Sequence, residues 1–255
     1  MSKEGKKGKV LVENRTLVVP GDVVAEGDVD IQTPHYLIKM GDKVVATVIG
    51  LVNIENENKL GLIPLEGTYV PKVNDLVIGI VTDIGITYWE LDIKAPYPAI
   101  LYASDMLNRP VNVAQENLAD YLNIGDVVVA KVSVYDRTRN PILTVKGKGL
   151  GKVPKGVLVE VNPSRVPRII GKKGSMINML ISESKCEIIV GQNGRIVINC
   201  PNPEMENIVV MAIRKIEREA HISGLTERVR QFILEEKIKR GLISGTEYKL
   251  NKKEK

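Results

Sequence analysis

The stretch Ile169-Ile170-Gly171-Lys172-Lys173-Gly174-Ser175-Met176-Ile177 decides how this chain reads. Two apolar residues run into a Gly-x-x-Gly turn whose middle pair is Lys-Lys, and a new helical pattern opens at Ser175. Neither glycine carries a Cβ, so such a turn lets backbone N–H groups approach an anion. The lysines add point charge, and the following helix adds the positive end of its dipole. Four residues alone do not separate a phosphate cradle from a tight helix–turn–helix corner. The flanks do.

Upstream, Gly156 to Val161 reads as a strand rich in β-branched residues, and Asn162-Pro163-Ser164 supplies a turn and an N-cap. Arg165 to Ile170 therefore forms only a short helix. Downstream, Ile177, Leu180 and Ile181 recur at helical spacing until Glu183-Ser184-Lys185. Two strands follow, Cys186 to Val190 and Arg195 to Cys200, joined by Gly191-Gln192-Asn193-Gly194 with its Asn-Gly hairpin signal. After Pro201-Asn202-Pro203, an amphipathic helix sets Met205, Ile208, Val209, Ala212, Ile216 and Ala220 on one face. The order strand, helix, Gly-x-x-Gly, helix, strand, strand, helix resembles a type I KH domain. That resemblance implies a clamp on about four single-stranded nucleotides. It assigns Gly171, Lys172, Lys173 and Gly174 to the phosphates, with Arg168 as a flanking charge. Ile170 and Ile177 read equally as groove floor or as core.

The 255 residues carry a net charge of +5, unevenly spread. Residues 1–70 hold 8 Lys/Arg against 10 Asp/Glu, residues 71–152 hold 9 of each, and residues 153–255 hold 19 against 12. The positive excess sits with the Gly-x-x-Gly turn, as a polyanion partner requires. No stretch is long and apolar enough to span a bilayer. The opening residues lack an apolar signal region, predicting no secretory leader. The two cysteines, Cys186 and Cys200, exclude a Cys-only zinc site; on neighbouring strands of a cytoplasmic chain they read as a buried reduced pair. His35 and His221 have no ligand spacing and read as structural. No cofactor or metal is expected.

Residues 1–70 read as a small β domain of short strands: Lys9 to Val12, Val23 to Ala25, Lys43 to Val52 and Leu60 to Leu65. Its acidic balance and two tyrosines offer no platform for nucleic acid. Asp22, Asp28 and Asp30 read as turn formers rather than metal ligands.

Residues 71–152 read as a run of alternating strands opening at Asp75 and continuing through Ile93, then Ala99 to Tyr102, Val127 to Tyr135 and Pro141 to Val145, five short strands in the pattern of an OB barrel. Ile124-Gly125-Asp126-Val127, Ile142-Leu143-Thr144, Gly79-Ile80-Val81 and Ala103-Ser104-Asp105 resemble the RNA-binding domain named for ribosomal protein S-one. Where that family often sets stacking aromatics this chain has Thr87 and Glu90, and alternation turns one of the adjacent Tyr88 and Trp89 inward. Arg137, Arg139, Lys146, Lys148, Lys152 and Lys155 run without an intervening acid, the makings of a positive rim or of an ordinary solvated face. Gly147 to Gly151 lacks the spacing of a nucleotide loop and reads as a linker. Residues 153–255 carry the KH pattern, a further helix capped by Thr226 whose Leu225, Val229, Phe232, Ile233 and Ile238 pack back on the KH sheet, and a disordered tail from Asn251.

Each module is generic; their order is not. A small β domain, an S-one-type barrel and a KH domain in succession resemble the KH-bearing cap subunits of the archaeal exosome. Polynucleotide phosphorylase carries the two RNA modules in reverse order. The resemblance implies a non-catalytic cytoplasmic subunit that binds single-stranded RNA. Three copies would sit on an RNase PH-like ring through the first domain and guide 3′ ends inward for degradation. A free-standing RNA-binding or translation-associated factor is the alternative; a nuclease has no His/Asp/Glu constellation to support it.

Overall fold

The computed structural model describes residues 8–34, 36–56, 59–65, 67–112, 115–136, 138–220 and 224–243. The readings of His35, Arg137, His221 and the tail from Asn251 fall outside them. The chain divides into two compact units, Met1–Gly67 and Thr68–Lys255.

The first unit is a pair of four-stranded sheets. Its strands are β1 (Lys9–Val10), β2 (Leu17–Val18), β3 (Val23–Glu26), β4 (Asp30–Ile31), β5 (Leu37–Met40), β6 (Lys43–Ala46), β7 (Gly50–Asn56) and β8 (Lys59–Pro64). One sheet runs β1-β3-β6-β5 and the other β2-β7-β8-β4. Val24, Leu37 and Val44 from the first and Val18, Val52, Leu60 and Leu62 from the second share one core. Lys43 to Val52 is therefore not one strand. The chain leaves the first sheet after Ala46 and enters the second at Gly50, a crossover that a continuous β-branched run conceals. Asp22 accepts the Val19 N–H at 2.9 Å, Asp28 meets Lys39 at 3.3 Å and Asp30 accepts from Gln32 at 2.8 Å.

The second unit opens with the barrel: β9 (Leu76–Ile84), β10 (Tyr88–Asp92), β11 (Ala99–Tyr102), a short helix α1 (Ala103–Leu107), β12 (Val127–Val134) and β13 (Ile142–Thr144). The order β13-β11-β10-β9-β12 closes through a β12–β13 pairing, and β11 and β13 run parallel. Trp89 fills the interior, fully buried, its Nε1 donating to the Leu122 carbonyl at 3.2 Å. The residues read as a linker end in β14 (Gly151–Lys152), which pairs with β12.

The KH segment follows as β15 (Val157–Glu160), α2 (Val166–Ile170), α3 (Ser175–Ser184), β16 (Glu187–Val190), β17 (Arg195–Asn199) and α4 (Pro203–Arg218). The antiparallel sheet runs β15-β17-β16. Val159, Ile188, Ile196 and Ile198 of the sheet share a core with Ile169, Met176, Leu180, Ile208 and Ala212 of the helices. Asn162 caps the turn into α2 by accepting the Ser164 N–H at 3.0 Å, and Asn202 caps α4 by accepting the Glu204 N–H at 2.8 Å.

Three expectations are corrected here. The final helix, α5 (Leu225–Lys239), starts from Gly224 in the left-handed region at φ +68°, so Thr226 lies inside it rather than capping it. It packs on α3 and α4, because those helices already cover that face of the sheet. Cys186 and Cys200 form a disulfide, with Cα atoms 4.3 Å apart. The register Glu187↔Asn199 sets the two cysteines opposite each other one step beyond the last paired residues.

Candidate nucleic-acid interface

Gly171 ends α2 with φ +76° and ψ 171°, a backbone region open essentially to glycine alone. An added Cβ would stand 2.7 Å from the Met176 nitrogen. Lys173 at φ +54° and Gly174 at φ +79° complete the turn, so three of its four residues have positive φ. A left-handed lysine carries strain of about 1–2 kcal/mol, a cost that tends to collect where the backbone serves a ligand. The turn is open: Lys172, Lys173 and Ser175 are exposed, while Gly171 and Gly174 are half-buried. Two exposed lysines thus lead directly into α3, whose N-terminal dipole adds positive potential.

Arg168 sits half-buried in the last turn of α2. Ile170 and Ile177 are partly buried against the KH core, and Ile181, one turn beyond Ile177, is 37% exposed. Ile170 and Ile177 thus touch the core without being fully covered, and Ile181 adds exposed apolar surface one turn on. β16 is an edge strand of the sheet.

The barrel's cations are less available than their sequence implies. Arg139 pairs with Asp136 at 2.6 Å, Lys146 lies 3.8 Å from Asp105 and Lys152 pairs with Asp126 at 2.6 Å. The Thr138 hydroxyl, Arg139 and the Thr138 N–H together hold the Asp136 carboxyl down at about 2, so that carboxylate stays ionised at neutral pH. Lys148 is exposed; Arg137 lies outside the described residues.

An aromatic pair on the barrel escaped the sequence reading. Tyr88 on β10 and Tyr102 on β11 are direct cross-strand partners, both on the outward side, with Tyr102 43% exposed. Glu90 and Ile100 form the next pair of that face. Strands two and three of an OB barrel carry its nucleic-acid face, and aromatic rings there stack bases irrespective of sequence. Alternation from the buried Trp89 would have turned Tyr88 outward. Placing Tyr102 opposite it needed the register.

A family model described as the Exosome RNA binding protein RRP4 N-terminal domain matches residues 15–66, and a KH domain model matches residues 156–204. Exosome complex component Rrp4 of Ignisphaera aggregans is 53% identical, covering 90% of this chain and 93% of its own. The Rrp4 of Sulfurisphaera tokodaii is 50% identical, over 89% and 92%. This chain belongs to the Rrp4 family. The Rrp4 of Saccharolobus solfataricus is 47% identical over 93% and 95%. A crystal structure described as that of a candidate exosome complex RNA-binding protein matches with a TM-score of 0.65 at 46% identity, over 68% of this chain and 99% of that one. Among the described residues of this Rrp4-family chain, no helix is long and apolar enough to cross a membrane, and no group of three His, Cys, Asp or Glu could hold a metal ion.

Proposed function

We propose that this chain is a non-catalytic, RNA-binding subunit of an exosome. The observation that carries the reading is the open Gly171-Lys172-Lys173-Gly174 turn in a chain 53% identical to a named Rrp4. In this reading the turn holds the phosphates of single-stranded RNA, flanked by Arg168. Ile170 and Ile177, joined by Ile181, floor the groove for the bases. On the barrel, Tyr88 and Tyr102 stack bases, with Arg139, Lys146 and Lys148 along the rim; Arg137 is assigned to RNA by sequence alone. Phosphate contact gives affinity without sequence preference, and stacking tolerates any base, as suits a subunit that must admit many RNAs.

The N-terminal domain, residues 1–70 by the sequence reading, docks on a ring of RNase PH-like subunits, three copies to a ring, with the barrel (71–152) and KH domain (153–255) receiving RNA. It offers a suitable face. Leu17, Leu51 and Ile63 stand in one cross-strand row, and Leu17, Val19, Ile49 and Ile63 are all exposed. An apolar row of this kind on an exposed sheet face is a mark of protein contact. RNA 3′ ends would be led to the ring for degradation, in the cytoplasm. The test is size-exclusion chromatography of the chain with purified RNase PH-like ring subunits. Co-elution lost on Leu17→Asp supports docking; separate elution of the unaltered chain contradicts it and leaves a free-standing RNA-binding factor.

A further inference from the structure

The barrel and the KH domain do not meet through a slack linker. Asn193, in the KH hairpin turn, is fully buried against the barrel. Its Oδ1 accepts the Ile78 N–H at 3.2 Å, and its Nδ2 donates to the carbonyls of Ile78 at 2.8 Å and Ile93 at 3.0 Å. Two residues on, Arg195 is 3% exposed. Its Nη2 donates to Asp92 Oδ2 at 2.5 Å, its Nη1 to the Asp92 carbonyl, and its Nε to Glu160 Oε1 at 2.9 Å. Lys94 reaches the other Glu160 oxygen at 3.3 Å, and the Gln192 N–H donates to the Leu76 carbonyl at 2.7 Å. Beneath these bonds lies an apolar seam of Ile78 and Val129 from the barrel and Val197 from the KH sheet.

A buried guanidinium and a buried amide are costly unless their partners are held in place, so this joint favours one relative orientation of the two domains. The orientation has a consequence on β10. Its outward residues are Tyr88, Glu90 and Asp92. Tyr88 belongs to the aromatic face; Asp92, about 13 Å farther along the strand, grips Arg195 at the start of β17. The same strand that offers a ring to a base at one end holds the KH sheet at the other.

We propose that Asn193 and Arg195 are positioning residues that set the KH groove and the aromatic face of the barrel as one track for a single RNA strand. The proposal rests on the RNA-binding reading above and adds that the two sites act together because their geometry is fixed. Two sites on one ligand raise its affinity well beyond that of either alone, provided both are reached at once. A strand of about four nucleotides fills one site at a time, whereas one of about twenty is long enough to reach both at once.

The test uses the full chain and fluorescein-labelled oligoadenylates of those two lengths, read by anisotropy. Asn193→Ala should bind the short strand within about twofold of the unaltered chain and lose about tenfold or more on the long one. Equal loss on both lengths, or no loss on the long strand, overturns the proposal. If Asn193→Ala fails to fold by circular dichroism, Asp92→Asn, which leaves the Asn193 bonds in place, should divide the two lengths in the same direction. Failure of the unaltered chain to bind either strand is a different result: it contradicts the RNA-binding reading itself.

Discussion

Alanine at Gly171 and alanine at Gly174 should differ sharply, although both glycines belong to one turn and both have positive φ. At Gly171 the backbone lies at φ +76° and ψ 171°, where a side chain costs of order 1–3 kcal/mol. The new Cβ would also stand 2.7 Å from the Met176 nitrogen and 2.9 Å from its Cβ, inside the first turn of α3. Moving that turn adds about 1–3 kcal/mol, the usual range for overpacking. At Gly174 the backbone is ordinary left-handed helix, φ +79° and ψ 11°, and the nearest obstacle is the Asn178 amide nitrogen at 3.4 Å. That amide is the end of a flexible side chain, so the cost stays near 1 kcal/mol. Gly171→Ala is therefore expected to destabilise by about 3–4 kcal/mol and Gly174→Ala by about 1 kcal/mol. At roughly 2–4 °C per kcal/mol, melting should fall by about 10 °C in the first case and about 3 °C in the second. Thermal unfolding by circular dichroism reads both. Equal melting temperatures, or the reverse order, would refute the view that the turn is shaped at Gly171.

Three further outcomes are expected. Tyr88→Ala or Tyr102→Ala should weaken binding of single-stranded RNA by about 1–3 kcal/mol for each stacked base lost, measured by anisotropy, with unaltered affinity removing the barrel's aromatic face from the account. Reduction of Cys186–Cys200, which are separated by 14 residues, should lower stability by about 3 kcal/mol in the chain-entropy view. Intact mass under non-reducing conditions should be two hydrogens lighter than after reduction; an unchanged mass would show free thiols. The joint should also respond to acid. Partial burial pushes the Asp92 carboxyl up, but hydrogen bonds from the Lys94 N–H and Arg195 outweigh it, and the net shift is downward. Arg195 likewise lowers Glu160. Depressed carboxylates stabilise the fold above their unfolded values, near 4, and that contribution disappears as pH falls through the lower folded values. The unaltered chain should therefore lose melting temperature more steeply than Asp92→Asn on going from pH 5 to below about pH 4, and parallel curves would contradict the assignment.

What could be read from sequence was local, and what could not was set by distance along the chain. The KH helices and strands are legible because Gly171, Gly174 and the 3.6-residue spacing of α4 act within a few residues. The barrel strands declare themselves through β-branched runs bounded by turns. By contrast, Asn193 bonds to Ile78 across 115 positions and Arg195 to Asp92 across 103, and no composition or period carries such pairings. Each of those two polar residues looks, in isolation, like part of a hairpin turn and an edge charge. The same applies to the rim: Asp105 and Asp126 come from outside the basic run and return charge to Lys146 and Lys152. The disulfide was legible as proximity, since Cys186 and Cys200 flank adjacent strands, while the expectation of reduced thiols drew on the compartment rather than on the residues. The strand break at residues 47–49 was hidden because a chain passing between two sheets can stay β-branched throughout.

The central claim is that the paired lysines of the open turn grip the backbone of unpaired RNA. Its most direct test is the salt dependence of RNA binding by the Lys172→Asp, Lys173→Asp double variant beside the unaltered chain. Each phosphate contact on a single strand contributes about 0.7 to the slope of log affinity against log salt, so losing two should reduce the slope by about 1.4 along with a marked fall in affinity. A folded variant with the same affinity and the same slope would contradict the claim.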